Sequence, residues 1–232
     1  MTDFFIRSDG LKVDFIYEPY CEICNLPIST QFASYGKCAF CHITYGHREP
    51  EIRTRAVSKY LYPTEYPKDI FSQNIRDFKT NAALAPLLGE CMVNALNNRF
   101  PELLESDIII PVQSSNAART FNRTELLADI ISKEFDIPVM NVLFAQEGYQ
   151  PVHNHPSGEK HDAIQGKIGC NVTFKGETIL LIDDTYIDGT TKRECARVLK
   201  EHGAGKIWCL VLGRMISKKN LNSLKEQNVS DE

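Results

Sequence analysis

Four apolar residues run without interruption into two carboxylates at Ile179-Leu180-Leu181-Ile182-Asp183-Asp184, and Thr185-Tyr186-Ile187-Asp188-Gly189-Thr190-Thr191 then leads at once into a helical pattern. A continuous apolar run is what a strand buried on both faces requires, and such strands occupy the middle of a parallel sheet. Neighbouring segments fit the same scheme. Short apolar runs over 107–112, 139–144, 177–183 and 206–212 predict strands, and amphipathic stretches over 119–135 and 191–202 predict helices between them. Upstream, Ile70, Ile75 and Phe78 mark a helix, and Leu84, Leu87, Leu88, Cys91, Met92, Ala95 and Leu96 repeat at helical spacing up to Pro101. Strands alternating with helices imply an α/β fold, a mostly parallel sheet flanked by helices on both faces.

The carboxylates fall where the predicted strand emerges at its C-terminal end, the place where α/β sheets put their ligands. Gly189 permits close backbone approach, Thr190 and Thr191 are able to cap the helix, and free N–H groups at a helix N-terminus cradle phosphate. Two carboxylates repel a phosphate, so they suit a group attached to it, such as the vicinal hydroxyls of a ribose, or a divalent metal. A Walker motif is absent: Gly166-Lys167 has His161 where the first glycine belongs and Ile168 where Ser or Thr belongs. Gly203-x-Gly205 is followed by Trp208 at the third glycine position, so it is not a dinucleotide fingerprint. The bland alternative is that Asp183 and Asp184 end a strand and Thr190 caps a helix.

Four of the eight cysteines form one block, Cys21-x-x-Cys24 and, after 13 residues, Cys38-x-x-Cys41. Two such knuckles complete a tetrahedron around a metal, and in a reducing compartment disulfides are the weaker reading. Structural Zn²⁺ is expected, with a single iron in the same cage as the competitor. Lys37 is placed to offset part of the thiolate charge. His42 and His47 are close enough to substitute as ligands, but four thiolates already close the site, so they read as exposed residues. The first sixteen residues, with Leu11, Val13 and Phe15 alternating, read as an arm leading into this ribbon. The expected organisation is therefore 1–50 for arm and zinc ribbon, 51–216 for the α/β domain, and 217–232 for a polar tail.

Composition narrows the functional classes. With 26 Lys and Arg against 30 Asp and Glu, the net charge is −4, whereas proteins that coat nucleic acid carry a basic excess. Arg48, Arg53, Arg55 and Lys59 accordingly read as a solvated connector. No apolar run approaches the roughly 18 residues of a membrane span. Asp3, Arg7 and Asp9 interrupt any leader core, so a soluble cytoplasmic protein without a membrane partner is expected.

ILLIDDTYIDGTT resembles the phosphoribosyl-pyrophosphate (PRPP) signature of type I phosphoribosyltransferases, and its D-D-x-x-x-x-G-T-T form is close to that of amidophosphoribosyltransferases. The resemblance implies that Asp183 and Asp184 contact the ribose hydroxyls and that Ile187, Asp188, Gly189, Thr190 and Thr191 wrap the 5′-phosphate. Many members carry Thr-Thr where Ile187 and Asp188 stand. Asp188 adds negative charge at the mouth of a phosphate site, which suits a base or positioning group facing the acceptor or a metal.

Over residues 17–213 the order of features is similar to that of ComF-like, competence-associated phosphoribosyltransferase proteins. Those features are the ribbon, Ile75-x-x-Phe78-Lys79, Pro111-Val112, the run Arg119-Thr120-Phe121-Asn122-Arg123-Thr124-Glu125-Leu126-Leu127-Ala128, Gln165 and the signature. Thr120 replaces a common glycine, Gln113 a frequent proline, and an expected arginine before Asn171 is missing. The family implies a pyrophosphate loop at Ser114, Ser115 and Arg119, with a mobile hood over 147–170 contributing Lys160 and Lys167. His153, His155 and His161 lie in that hood, as metal ligands or as solvated loop residues. The implied activity is transfer of 5-phosphoribose from Mg²⁺-bound PRPP to a nitrogen nucleophile, with the acceptor unspecified and a homodimer common in the family. The chain begins Met1-Thr2, so no N-terminal cysteine glutaminase is expected. The alternative is a non-catalytic PRPP- or nucleotide-binding accessory protein of DNA uptake, with the ribbon, Arg53, Arg55 and Lys59 meeting DNA or a helicase.

Overall fold

The computed structural model describes residues 3–29, 33–113, 121–147, 149 and 160–218. In chain order they form β1 (Phe4–Ile6), β2 (Lys12–Asp14), α1 (Ala39–Tyr45), β3 (Arg53–Tyr60), α2 (Ile70–Asp77), α3 (Ala85–Asn98), β4 (Ile108–Pro111), α4 (Arg123–Phe135), β5 (Leu143–Ala145), α5 (Lys160–Ile164), β6 (Ile168–Cys170), β7 (Ile179–Tyr186), α6 (Thr190–Glu201) and β8 (Ile207–Met215). The central sheet has the order β3-β8-β7-β4, and all three pairings are parallel. β1 with β2 and β5 with β6 make separate antiparallel pairs. Among the described residues no helix is long and apolar enough to cross a membrane.

Period-two alternation sorts the sheet's side chains into two cores. Ile179 and Leu181 of β7 join Cys209 and Val211 of β8, Cys195, Ala196 and Leu199 of α6, and the four clustered cysteines. Leu180 and Ile182 face the other way, onto Leu88 and Met92 of α3 and Leu127 and Ile131 of α4. The N-terminal hairpin closes that second core with Phe5, Val13 and Phe15. β7 is thus buried on both faces, as its unbroken apolar run demanded.

Several elements depart from expectation. The supposed connector at Arg53, Arg55 and Lys59 is the sheet's edge strand β3, paired in parallel with β8 from Arg53↔Trp208 to Tyr60↔Met215. Its charges hid it: Arg55 is buried, with its guanidinium 5.2 Å from the Trp208 ring and Nη1 donating to the Glu22 carbonyl at 2.8 Å. Arg53 is paired with Glu49, and Lys59 lies 5.6 Å over Tyr17. The segment over 139–144 divides, with Val139 bridging Ile109 and the strand proper beginning at Leu143. The aperiodic 147–170 stretch holds α5 and β6. α4 begins at Arg123 because the Asn122 side chain caps it, accepting from the Thr124 N–H.

Candidate functional site

β7 does not end before the acids. The ladder to β8 continues through Asp183↔Val211, Thr185↔Gly213 and Tyr186↔Arg214, so both carboxylates sit inside the last turn of pairing rather than beyond it. Consecutive strand residues point to opposite faces, and their partners show it. Asp183 meets Lys192 of α6, whose Nζ donates to Oδ2 at 2.5 Å and to the Thr185 carbonyl at 2.6 Å. Asp184 is ion-paired with Arg123 of α4 and accepts from the Thr185 hydroxyl at 3.0 Å. The two acids straddle the strand, one on each side of the sheet. Their side chains remain 15% and 10% exposed.

The environments pull the pair apart electrically. Burial pushes the Asp183 carboxyl above its ordinary range, against the opposing pull of Lys192, and the Asp184 charge adds to the rise. Burial acts on Asp184 too, but Arg123 and then Lys192 outweigh it and hold that carboxyl below its usual value. Desolvation pulls Lys192 down, but Asp183, Cys209 and Asp184 together hold the ammonium above its ordinary value.

The turn that follows is built on Gly189, which has φ +79° and caps α6. A Cβ there would lie 2.2 Å from Tyr186 Oη, so both handedness and space require glycine. Neither Thr190 nor Thr191 caps the helix; the cap is Gly189, and Asp188 just before it accepts from the Thr190 N–H through Oδ1 at 3.0 Å. Asp188 therefore faces inward, onto a donor that a bound anion would also use. Arg193 fastens the turn from behind, Nη1 to the Asp188 carbonyl at 2.9 Å and Nη2 to Thr190 Oγ1 at 3.4 Å. Ile187 is half exposed at the tip.

Cys21, Cys24, Cys38 and Cys41 are all buried, and their Sγ atoms lie within 4.8 Å of one another. Cys24 and Cys38 sulfurs are 3.7 Å apart. Tetrahedral ligation at a Zn–S length of about 2.3 Å requires an S···S spacing of about 3.8 Å, so the donor set fits Zn²⁺, and iron in the same cage equally. His42 and His47 are exposed and outside the cluster, as expected. The Lys37 Nζ donates to the Gly46 carbonyl at 2.5 Å. Arg214 of β8 is the cation seen beside a cluster sulfur, with Nη2 3.8 Å from Cys24 Sγ.

Arg123, Lys192, Arg193 and Arg214 carry interactions that the sequence reading assigned to none of them. The available signal for Lys192 and Arg193 was a pair of cations in the first turn of the helix after the signature. Ser114, Ser115, Arg119, His153 and His155, and the side chains of Lys160 and His161, lie outside the described residues.

No family model and no curated protein matches the sequence. Among solved structures, the chain is similar to the glutamine PRPP amidotransferase of B. subtilis at 18% identity and TM-score 0.32, over 47% of this chain and 24% of that one. It is similar to a purine phosphoribosyltransferase of Pyrococcus horikoshii at 18% identity and TM-score 0.34, over 56% and 87% of the two chains. An adenine phosphoribosyltransferase of Leishmania tarentolae aligns at 14% identity and TM-score 0.36, over 78% and 96%. The chain thus spans about a quarter of the amidotransferase's length and most of the other two.

Proposed function

We propose that this chain binds Mg²⁺-PRPP at the turn after β7 and transfers its 5-phosphoribosyl group to a nitrogen nucleophile. The observation that carries the reading is the turn itself: a left-handed Gly189 opens a twelve-residue helix directly beside two acids held by separate cations. The backbone donors of Gly189, Thr190 and Thr191 and the Thr190 hydroxyl take the 5′-phosphate. Asp188 has to leave the Thr190 N–H as the phosphate arrives, because two anions do not share one donor; it then serves as a positioning group at the mouth of the site. Asp183 and Asp184 accept from the ribose hydroxyls at their exposed edges, while Lys192 and Arg123 keep each carboxylate in place.

In the transfer, the nitrogen lone pair forms the new bond to C1′ as the C1′–O bond to pyrophosphate breaks. The electron pair leaves with pyrophosphate, and the nitrogen loses a proton to solvent. Positive charge gathers at C1′ in the transition state, and fixing the sugar between phosphate cradle and diol acceptors supplies the orientation. Mg²⁺ bound to PRPP would offset the negative charge that builds on the leaving group. By the resemblance alone, Ser114, Ser115, Arg119 and Lys160 would donate to that leaving group. Cys21, Cys24, Cys38 and Cys41 would hold Zn²⁺ with four thiolates, a closed site that would act structurally.

Pyrophosphate release from Mg²⁺-PRPP, followed with ammonia, primary amines and nucleobases as acceptors, tests the reading. Turnover with one acceptor class supports it. Saturable PRPP binding without turnover on any of them selects the non-catalytic accessory role in DNA uptake, and absence of PRPP binding overturns both. A DNA contact through Arg53 and Arg55 draws no support from their pairing with Glu49 and burial against Trp208.

A further inference from the structure

Arg214, near the end of β8, is 8% exposed and spends its guanidinium on two places far apart in sequence. Nε donates to the Cys24 carbonyl at 3.0 Å, and Nη2 lies 3.8 Å from the Cys24 sulfur. Nη1 donates to the carbonyls of Tyr186 at 3.2 Å, Ile187 at 3.0 Å and Met215 at 3.0 Å. The guanidinium carbon also stacks 4.3 Å over the Tyr186 ring, the same ring whose hydroxyl Gly189 packs against. One buried cation therefore joins a metal-binding knuckle to the first two residues of the phosphate turn. A planar fork of donors is suited to this and a lysine is not.

We propose that Arg214 is a positioning residue through which metal occupancy of the four-cysteine site sets the order of the 186–190 turn, and with it the affinity for PRPP. The second half rests on the PRPP reading; the first half does not. With metal bound, four thiolates hold Cys24 in place and give Arg214 a fixed anionic neighbour. With the metal gone, the Cys24 knuckle loosens, and Arg214 loses both anchors that aim Nη1 at the turn. The carbonyls of Tyr186 and Ile187 then exchange a fixed partner for water, and the turn samples conformations in which its N–H groups no longer converge.

The test uses the full chain loaded with Co²⁺, whose thiolate absorption reports on the site, as wild type, Arg214→Lys and Arg55→Lys. Arg55 ties the same module to the sheet through the Glu22 carbonyl without touching the turn, so it controls for loosened docking alone. At one metal per chain, hydrogen exchange over 186–190 is expected to rise about tenfold in Arg214→Lys, the scale of a lost charge-assisted bond, and to stay unchanged in Arg55→Lys. Unchanged exchange in Arg214→Lys overturns the proposal. Should that variant fail to fold, stripping and restoring metal in the wild type gives the same reading: exchange of the turn that ignores occupancy overturns it. Adding PRPP is expected to shift the cobalt–thiolate bands in wild type and not in Arg214→Lys; PRPP bound with no shift overturns the link to the ligand. Metal-dependent exchange in a chain that binds no PRPP supports the coupling and sinks the PRPP reading separately.

Discussion

Around the four thiols the chain buries Ile16, Ile23, Ile28, Tyr45 and Ile52, whereas β7 and β8 alone bury Ile179–Ile182 and every residue from Ile207 to Met215. The two regions touch, sharing one apolar cluster, but they are stabilised by different means. The sheet is covered by helices on both faces and gains its free energy from apolar area removed from water. The cysteine module gathers fewer apolar side chains, and a metal on its four thiols would add ligand bonds to what they supply. A region held by area tolerates many local changes, while one held by four bonds to one ion fails as a unit.

The largest effect is expected from removing the ion proposed for these thiols. Structural zinc contributes on the order of 10 kcal/mol to small ligand-dependent folds. Chelation is therefore expected to abolish exchange protection over 20–45 while β7 before Tyr186 and the body of β8 keep theirs; simultaneous loss across the sheet would show that the two regions are one cooperative unit.

A smaller effect separates the two acids. Breaking a buried pair costs about 3–5 kcal/mol, so Asp184→Asn, which strands Arg123, should lower stability to urea at neutral pH by about that amount. The folded-state value of Asp184 is depressed, so its stabilisation is present above the ordinary carboxylate range and disappears as pH falls through the lowered value. Asp183 has the opposite sign. Its value is raised by burial, so its contribution is full below the ordinary range and is lost as pH rises through the raised value. Urea midpoints measured from acid to neutral pH are expected to show Asp184→Asn losing part of the wild type's acid dependence, and Asp183→Asn removing a decline toward neutrality. Identical profiles for the two variants would contradict the opposed environments described for them.

The smallest stability effect carries the largest expected functional one. Gly189→Ala forces a left-handed residue and a methyl group onto Tyr186, a strain of about 1–3 kcal/mol. Thermal unfolding should shift modestly while PRPP binding is lost; binding at wild-type strength would remove the turn from the site.

What could be read in advance differed between the two regions for the same physical reason. Four cysteines at C-x-x-C spacing announce a site locally, and the thiols do converge. The apolar run of β7 likewise announced a central strand, and the alternation after it announced α6 and β8. The hidden features all depend on partners distant in sequence. β3 was obscured because Arg55 is buried by Trp208 and Phe100, rings far along the chain. The acids looked like a strand end because their continued pairing depends on Thr185, Tyr186 and the facing residues Gly213 and Arg214. Asp188 looked exposed to a ligand because a side-chain bond to the Thr190 N–H two residues away is a local choice that the sequence permits without requiring. Arg214 lies 190 residues from Cys24, beyond the reach of any spacing rule.

The central claim is that the turn opened by Gly189 holds the phosphate of an activated pentose. Titration calorimetry of Mg²⁺-PRPP into the metal-loaded chain addresses it most directly. One saturable site per chain, absent in Gly189→Ala, is the predicted result; no heat at millimolar ligand in the folded wild type would contradict it.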